Sequence, residues 1–387
     1  VRASCRQRLV CGLQAVVIPP ERASKMERLG VGIIGAGGIA GAHAKAYAQL
    51  APTVTLVGVA DIDEDRARAF AIRHQVPFWT TEAEELLRHD EIQIVSICTP
   101  HHLHAPLAIA AMESGKHVLV EKPMAVSLEE ADQMIATAQR TRRILGTIFQ
   151  LRYEADTRRA RLVLERGLIG TPFYAEVSCL WWRRPVYYEV SWRGRWSTEG
   201  GGAVINQASH HVDMLVHLMG LPRTVEATID TVAHDIEVED WCMASLHWES
   251  AHACFCASTA AELETDVSRM MILGTQGSIQ MFPFRPHSRD EARLTQIAEA
   301  CREIEEPPYP GHAAQIHDFV RCVREGKTPP VDGVEGRRAL ELITAIYQSA
   351  FTGEPVQLPL TPADPCYSTA GKLEMARAYI ARRAERT

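Results

Sequence analysis

The chain has 387 residues, of which 46% are hydrophobic and 23% charged, with a formal net charge of −7 at pH 7. That length is too great for one ordinary core and suits two domains of a globular protein. The acidic balance gives no electrostatic footing for nucleic acid or an anionic membrane, and no run reaches the roughly 18 apolar residues of a membrane helix.

Residues 1–26 stand apart. Arg2, Arg6 and Arg8 precede the apolar stretch "LVCGLQAVVI", a faint imitation of a signal peptide without a twin arginine or a small-residue cleavage site. The chain opens on Val1, and Met26 sits just before the first convincing strand. The segment 1–26 is therefore expected to be a non-native or flexible extension with Met26 as the true start, an export signal being the alternative. The ten cysteines include no Cys-x-x-Cys pair and are expected to be reduced thiols in a cytoplasmic protein. Cys254 and Cys256 fall on one face of a strand and suit core or interface packing better than metal ligation.

The first domain is expected over 27–148. It begins with the apolar run Val31–Ile34, short enough for a buried parallel strand. Gly35, Gly37, Gly38, Ile39 and Ala40 then form a G-x-G-x-x-A turn that opens a helix. Gly35 allows the tight turn, Gly37 lets a pyrophosphate approach the backbone, and Ala40 lets helix and strand pack closely. The helix N-terminus offers free N–H groups and a positive dipole end to the phosphates. A second strand, "TLVGVAD", ends on Asp61, 21 residues after Ala40. An acid there accepts the ribose hydroxyls of NAD and repels the 2′-phosphate of NADP; Asp63 is the better candidate to cap the helix over 64–73. A strand near Phe78, a helix over 82–88, the strand "IQIVSIC", the segment "TPHHLHAPLAIAAMESG", the strand "HVLVEKP" and a helix over 128–141 follow. This alternation predicts a doubly wound parallel sheet. Thr99, Pro100, Glu121 and Lys122 lie beyond the carboxyl ends of its strands, where ligands bind, and Lys122 is expected to point into the cofactor crevice.

The second domain, 149–361, changes pattern. "TVEATIDTV", "WCMASLHWES", "AHACFCAST", "SRMMILGT" and "GSIQMFP" alternate with period two between turn residues, and Gly274–Gly277 reads as a hairpin connection. Helices are expected over 313–324 and 335–352, and the polar tail 362–387 is expected to end in an exposed helix. Before them, Gly200–Gly202 are expected to let the backbone pass close to a cleft. They lead into a helix from near Ala203 to Gly220. Asn206, His210, Asp213 and His217 share one face of it, while His211 points elsewhere.

The glycine turn with Asp61, "TPHHLHAPLAIAAMESGKHVLVEKP", "SWRGRWSTEGGGAVINQASHHVD" and "GHAAQIHDFVRCVREGKTPPVDGVEGRRALELITAIYQSA" together resemble the Gfo/Idh/MocA oxidoreductase family (glucose–fructose oxidoreductase, inositol dehydrogenase, rhizopine catabolism) over most of residues 29–360. The resemblance implies an α/β Rossmann domain followed by an α+β domain with an open, mostly antiparallel sheet that pairs with another subunit, giving a homodimer or homotetramer. It implies NAD as cofactor and oxidation of a secondary hydroxyl of a sugar, sugar derivative or cyclitol. His210 occupies the position of the family's acid/base histidine, and Lys122 is placed to stabilise the developing alkoxide. Many relatives carry aspartate one turn before that histidine; here Asn206 cannot take a proton and is expected to orient substrate or imidazole. Carried over with them are Gln150 beside the nicotinamide ribose or substrate, Trp192 and Arg193 near the cofactor, His104 on the adenine or pyrophosphate side and His312 at the substrate cleft. For His104 the alternative is a helix start with exposed imidazoles.

Between strand and glycines, "LWWRRPVYYEVSWRGRW" offers Tyr187, Tyr188, Trp192 and Trp196 to stack on sugar faces. Arg183, Arg184 and Arg195 would meet a carboxylate or phosphate, which favours an acidic or nucleotide-linked sugar. Two rival classes use the same residues. A metal-dependent hydrolase or lyase would draw on His210, Asp213 and His217 with His101, His102 and His104, although residues seven apart span two turns, and no resident metal is expected. A dinucleotide-sensing regulator would share the fold but has no use for Lys122 and His210.

Overall fold

A computed structural model describes residues 28–51 and 53–385; the expected extension 1–26, with Met26, lies outside the described residues. Six parallel strands, β1 (Leu29–Ile34), β2 (Val54–Ala60), β3 (Phe78–Thr80), β4 (Ile94–Ile97), β5 (His117–Val120) and β6 (Leu145–Thr147), form a sheet of order β3-β2-β1-β4-β5-β6. Helices α1 (Ala40–Gln49), α2 (Glu64–His74), α3 (Ala83–Leu87), α4 (His104–Glu113) and α5 (Leu128–Thr141) connect them. This is the expected doubly wound sheet. β1 and β4 flank the point where strand order reverses, and the crevice beyond their carboxyl ends opens there. Local signals set the element ends: Asp63 caps α2 by accepting the Arg66 N–H, and Ser127 caps α5 by accepting that of Glu130.

After α6 (Ala155–Glu165), the chain builds an eight-stranded sheet. Its strands are β7 (Pro172–Leu180), β8 (Thr224–Asp230), β9 (Trp241–His247), β10 (His252–Ser258), β11 (Val267–Gly274), β12 (Gly277–Met281), β13 (Arg285–His287) and β14 (Val356–Gln357). Its order is β13-β12-β11-β7-β10-β9-β8-β14, antiparallel throughout except for β7 beside β10. The hairpin between Gly274 and Gly277 is present. One face is packed by α6, α7 (Ser209–Met219) and α10 (Gly333–Thr352). On the other, Met243 is half exposed, and Cys254 and Cys256 stand side by side as free thiols. Among the described residues no helix is long and apolar enough to cross a membrane.

Three placements were not legible in the period. Helix α8 (Glu291–Cys301) packs on α6. Helix α9 (Gly311–Glu325) returns to the nucleotide-binding half and inserts Ala313, Ile316, Phe319 and Val320 into the core of the parallel sheet. Gln315 fastens it there, accepting from the Phe149 N–H and donating to the Thr147 carbonyl. Helix α11 (Thr369–Ala384) is present as expected but is docked on α10 instead of standing free. It buries Lys372, whose ammonium donates to the carbonyls of Val126 and Gly200.

Candidate active site

The glycine turn is built to leave room. A Cβ at Gly35, whose φ is +92°, would meet the Cys98 carbonyl at 2.6 Å, so this glycine is required by the fold. At Gly37 and Gly38 a Cβ would meet nothing within 4 Å, so packing within the chain does not require glycine there and the space above them is open to a ligand. Ile39 heads α1 without a side-chain cap and without an acid in the first turn, which leaves the helix N-terminus free for an anion. A cavity of about 300 Å³ lies over Ala36, Gly37, Gly38 and Gly41 against Arg66, Phe70, Arg73 and His74 of α2. Asp61 is buried and accepts the N–H of Ala36, a residue lining this cavity, at 2.7 Å and the Asp63 N–H at 3.0 Å. These features fit the pyrophosphate and adenosine half of a dinucleotide.

At the far end of the crevice, Lys122 donates to the Asn206 carbonyl at 2.7 Å, joining the end of β5 to the second half of the chain. Burial lowers the pKa of Lys122; Glu121, Cys179 and Glu199 oppose this and Arg183 adds to it. Next to it, Glu121 takes the His43 Nε2 at 2.8 Å and the Lys122 N–H at 3.2 Å, and His312 Nε2 stands 3.5 Å away. Burial pushes the Glu121 carboxyl up, yet the bonds from His312 and His43 hold it well below the usual carboxylate range. One assignment of protons satisfies the rest: Tyr47 donates to Ser96, Ser96 to His43 Nδ1, and His43 Nε2 to Glu121. His312 thus reaches the crevice edge from the N-terminus of α9. Among the described residues, His43, Glu121 and His312 are also the trio whose ligand atoms come within 4.8 Å of one another. Hydrogen bonding accounts for their arrangement without an ion.

The segment after the glycines corrects the expected single helix. Ala203–Gln207 form a π-helical turn, and α7 starts only at Ser209. The cause is Glu239, a buried carboxylate that accepts the N–H groups of Gly202 and Val204 and the Tyr347 hydroxyl. The glycines are also needed for a different reason than a close cleft. A Cβ on Gly201 would lie 2.1 Å from the Tyr347 oxygen, and one on Gly202 1.9 Å from the Glu239 carbonyl. Asn206 does not orient the imidazole: its amide donates to Glu199 and, at 3.1 Å, to the Tyr187 hydroxyl.

His210 does face the crevice. Its ring packs edge-on to Phe149, its Nε2 is 3.5 Å from the Gln150 amide nitrogen, and its Nδ1 is buried without a partner. Burial, then the Lys122 charge, lowers its pKa well below 6.5, so the ring is neutral with a lone pair available. Gln150 Oε1 and Thr99 Oγ1 are likewise buried and unpartnered. Buried polar atoms rarely stay unsatisfied, and four residues assigned to cofactor or substrate from sequence carry such atoms, the fourth being Arg193 with its Nε.

The other histidines have structural tasks. His211 is buried between Trp181 and Phe282. Asp213 is held by two nitrogens of Arg152, and His217 stands apart from His210, so the shared face does not make a metal trio. His104 is fully buried and is not an exposed imidazole. Its ring nitrogens meet the Pro123 carbonyl at 2.7 Å and the Thr99 carbonyl at 2.9 Å, tying together the two loops that end β4 and β5. His101 and His102 meet the Glu199 and Thr198 carbonyls, and Trp192 packs on His101. Pro100 heads that turn. Arg193 lies over the Tyr187 ring at 3.8 Å. Trp196 is buried against Tyr347 and Phe351 and is core, not a sugar platform; Arg184 and Arg195 are exposed. Sequence reasoning missed His43, Glu199 and Glu239, for which spacing gave no signal.

Residues 29–149 match the family described as "Oxidoreductase family, NAD-binding Rossmann fold", and residues 161–358 match its C-terminal alpha/beta domain. The WlbA dehydrogenase of Chromobacterium violaceum, solved with NADH and UDP-GlcNAcA, is 30% identical with a TM-score of 0.80, over 90% of this chain and 100% of that one. The levoglucosan dehydrogenase of Pseudarthrobacter phenanthrenivorans is 26% identical over 86% of this chain and 99% of its own. The scyllo-inositol 2-dehydrogenase (NAD(+)) of Bacillus subtilis is 26% identical over 86% and 96%. With a dinucleotide cradle at one end of the crevice and Lys122 and His210 at the other, the chain belongs to the Gfo/Idh/MocA family of NAD-dependent oxidoreductases.

Proposed function

We propose that the protein reversibly oxidises a secondary hydroxyl of a sugar, sugar derivative or cyclitol, with His210 as general base and acid and Lys122 stabilising the alkoxide. The observation that carries this reading is the set of buried, unpartnered atoms His210 Nδ1, Gln150 Oε1 and Thr99 Oγ1 beside the Lys122 ammonium. Gly37, Gly38, Ile39 and Ala40 hold the pyrophosphate of NAD on a turn shaped by Gly35. Asp61 takes the adenosine ribose, and Thr99, Pro100, Glu121, Gln150, Trp192 and Arg193 line the nicotinamide half. His104 braces the loops beneath, and Asn206 positions Lys122 through its carbonyl.

Bound NAD supplies the hydride acceptor. The C–H bond breaks with its electron pair, and the hydroxyl proton passes to neutral His210. Lys122 gives a charged hydrogen-bond donor to the oxygen as negative charge grows there. His312 holds Glu121 ionised next to Lys122, which keeps the ammonium charged in spite of burial. The names of relatives acting on levoglucosan and scyllo-inositol, and the UDP-GlcNAcA bound to the WlbA dehydrogenase, support a sugar or cyclitol substrate. We further propose a cytoplasmic homodimer or homotetramer joined through the outer face of the eight-stranded sheet, around Met243, Cys254 and Cys256.

The test is NADH appearance with NAD, and separately with NADP, across cyclitols, aldoses, uronic acids and nucleotide sugars. A substrate oxidised with NAD by the wild type and not by His210→Ala is the expected result. Equal turnover by His210→Ala removes His210 from the mechanism.

A further inference from the structure

Where β7 runs out, the chain holds an arginine whose hydrogen-bonding capacity the fold only partly uses. The Arg183 N–H donates to the Thr259 carbonyl at 2.9 Å, and the Arg183 carbonyl accepts from His234 Nε2 at 2.7 Å, so the backbone is pinned from both sides. The guanidinium carbon lies 4.7 Å from the Trp181 ring centre and 5.5 Å from that of Tyr187. Its Nε is buried and has no hydrogen-bond partner. The nearest acid, Asp266, is half exposed and stands 3.9 Å from Nη1, too far for a hydrogen bond. On the other side of the same tyrosine, Arg193 donates to the Tyr187 carbonyl at 3.1 Å and also leaves a buried Nε unpartnered.

The surroundings make this a place and not only a spare charge. Tyr187 accepts from the amides of Asn206 at 3.1 Å and Gln207 at 2.9 Å, which leaves its own hydroxyl hydrogen free to donate. The carbonyl of the same Asn206 receives Lys122. The acids nearby do not balance these cations. Glu121 is committed to His43, His312 and the Lys122 N–H, and Glu199, pushed up to about 7 by burial, already accepts from Gly194 and Asn206. A neutral sugar could offer the Nε–Nη edge of Arg183 only uncharged hydroxyl acceptors, whereas a carboxylate matches that fork with two charge-assisted hydrogen bonds.

We propose that the substrate is an acidic sugar whose carboxylate is received by Arg183, with the Tyr187 hydroxyl as a second donor and Arg193 bracing the ring. The inference rests on the dehydrogenase reading above and narrows it. The reaction converts the hydroxyl carbon to a ketone, one hydride passing to NAD and one proton to His210, while the carboxylate is unchanged. Carboxylates of this kind come as free uronates or as nucleotide-linked ones.

Matched pairs test it: glucuronate against glucose, and UDP-glucuronate against UDP-glucose, each followed by NADH formation and, independently, by calorimetric binding to the NADH-loaded protein. The acidic member of one pair is expected to be preferred, and the pair says whether the source is free or nucleotide-linked. Arg183→Met should lower the acid-over-neutral preference by about 100-fold, and Arg183→Lys, which keeps charge without the fork, should restore only part of it. Unchanged NAD binding in both variants shows that they are folded. Arg183-dependent binding of the acid without turnover upholds the carboxylate site and defeats the dehydrogenase reading for these sugars. Oxidation of neutral members with an equal loss on both members in Arg183→Met keeps the enzyme and overturns the carboxylate site. Absence of both binding and turnover for both acids overturns the proposal.

Discussion

The Lys122 ammonium donates to the main-chain carbonyl of Asn206 across 2.7 Å, so a lysine at the end of β5 is aimed by a π-helical turn that follows it by 84 residues. Lys122→Met therefore removes both the proposed alkoxide partner and a tie between the two halves of the chain. We predict a fall in kcat of about 100- to 1,000-fold with NAD affinity changed only a few-fold, measured by steady-state kinetics and fluorescence titration. A wild-type rate from this variant would exclude Lys122 from the chemistry.

The pH profile follows from two lowered pKa values. His210 accepts a proton only when neutral, and its pKa lies well below 6.5, so kcat/KM should not rise through an ordinary histidine inflection. Lys122 acts only when charged, and burial lowers it from 10.5, so the alkaline fall should begin earlier than for a free lysine. Burial pushes the Glu199 and Glu239 carboxyls both up to about 7, so an inflection near 7 belongs to one of these carboxyls and should vanish in Glu199→Gln or in Glu239→Gln. A limb near 6.5 that persists in both variants would contradict the assignment.

Two glycine substitutions should separate ligand space from packing. Gly37→Ala places a methyl where the protein has nothing within 4 Å, so Tm should hold while NAD affinity falls by tenfold or more, about 1.4 kcal/mol. Gly201→Ala at φ +146° forces a Cβ to 2.1 Å from the Tyr347 oxygen, with an expected loss of about 1–3 kcal/mol or more. Thermal unfolding and NAD titration of both variants give the comparison.

Asp61 shapes the glycine turn through the Ala36 N–H, and Arg66, which lines the cavity beside that turn, stands 3.4 Å from its carboxylate. Asp61→Ser should weaken NAD and improve NADP, because the repelling carboxylate goes and Arg66 is released toward a 2′-phosphate. The ratio of kcat/KM for the two cofactors reads the change directly, and an unaltered ratio would remove Asp61 from cofactor choice.

The buried Arg152–Asp213 pair joins the 3-10 turn Gln150–Tyr153, just before α6, to α7, with Arg152 also meeting Glu335 at 2.7 Å. Arg152→Met leaves Asp213 buried without its counter-charge, and unfolding by urea should show a loss of about 3–5 kcal/mol. A loss under 1 kcal/mol would mean that the carboxyl protonates freely on its own.

What the sequence made legible was local. β1, the glycine turn, the Asp63 cap and helix α5 follow from runs, caps and spacings within a few residues of one another, and Asp61 from its place at the end of the second strand. The departures have distant causes. The π-helical turn is set by Glu239, more than 30 residues on, and the crowding at Gly201 by Tyr347, still farther. Nothing in "HHLH" announces that His104 will bridge Pro123 and Thr99, or that His101 will bond to the Glu199 carbonyl. The polar tail carries no sign that Lys372 will be buried; its ammonium finds the carbonyls of Val126 and Gly200.

The most direct measurement uses a substrate from the panel carrying deuterium on the carbinol carbon, turned over with NAD and followed by mass spectrometry of the nicotinamide product. The account predicts one deuterium in NADH from the wild type and none accumulating with His210→Ala. Product formation with the deuterium retained on the sugar or released to water would contradict hydride transfer.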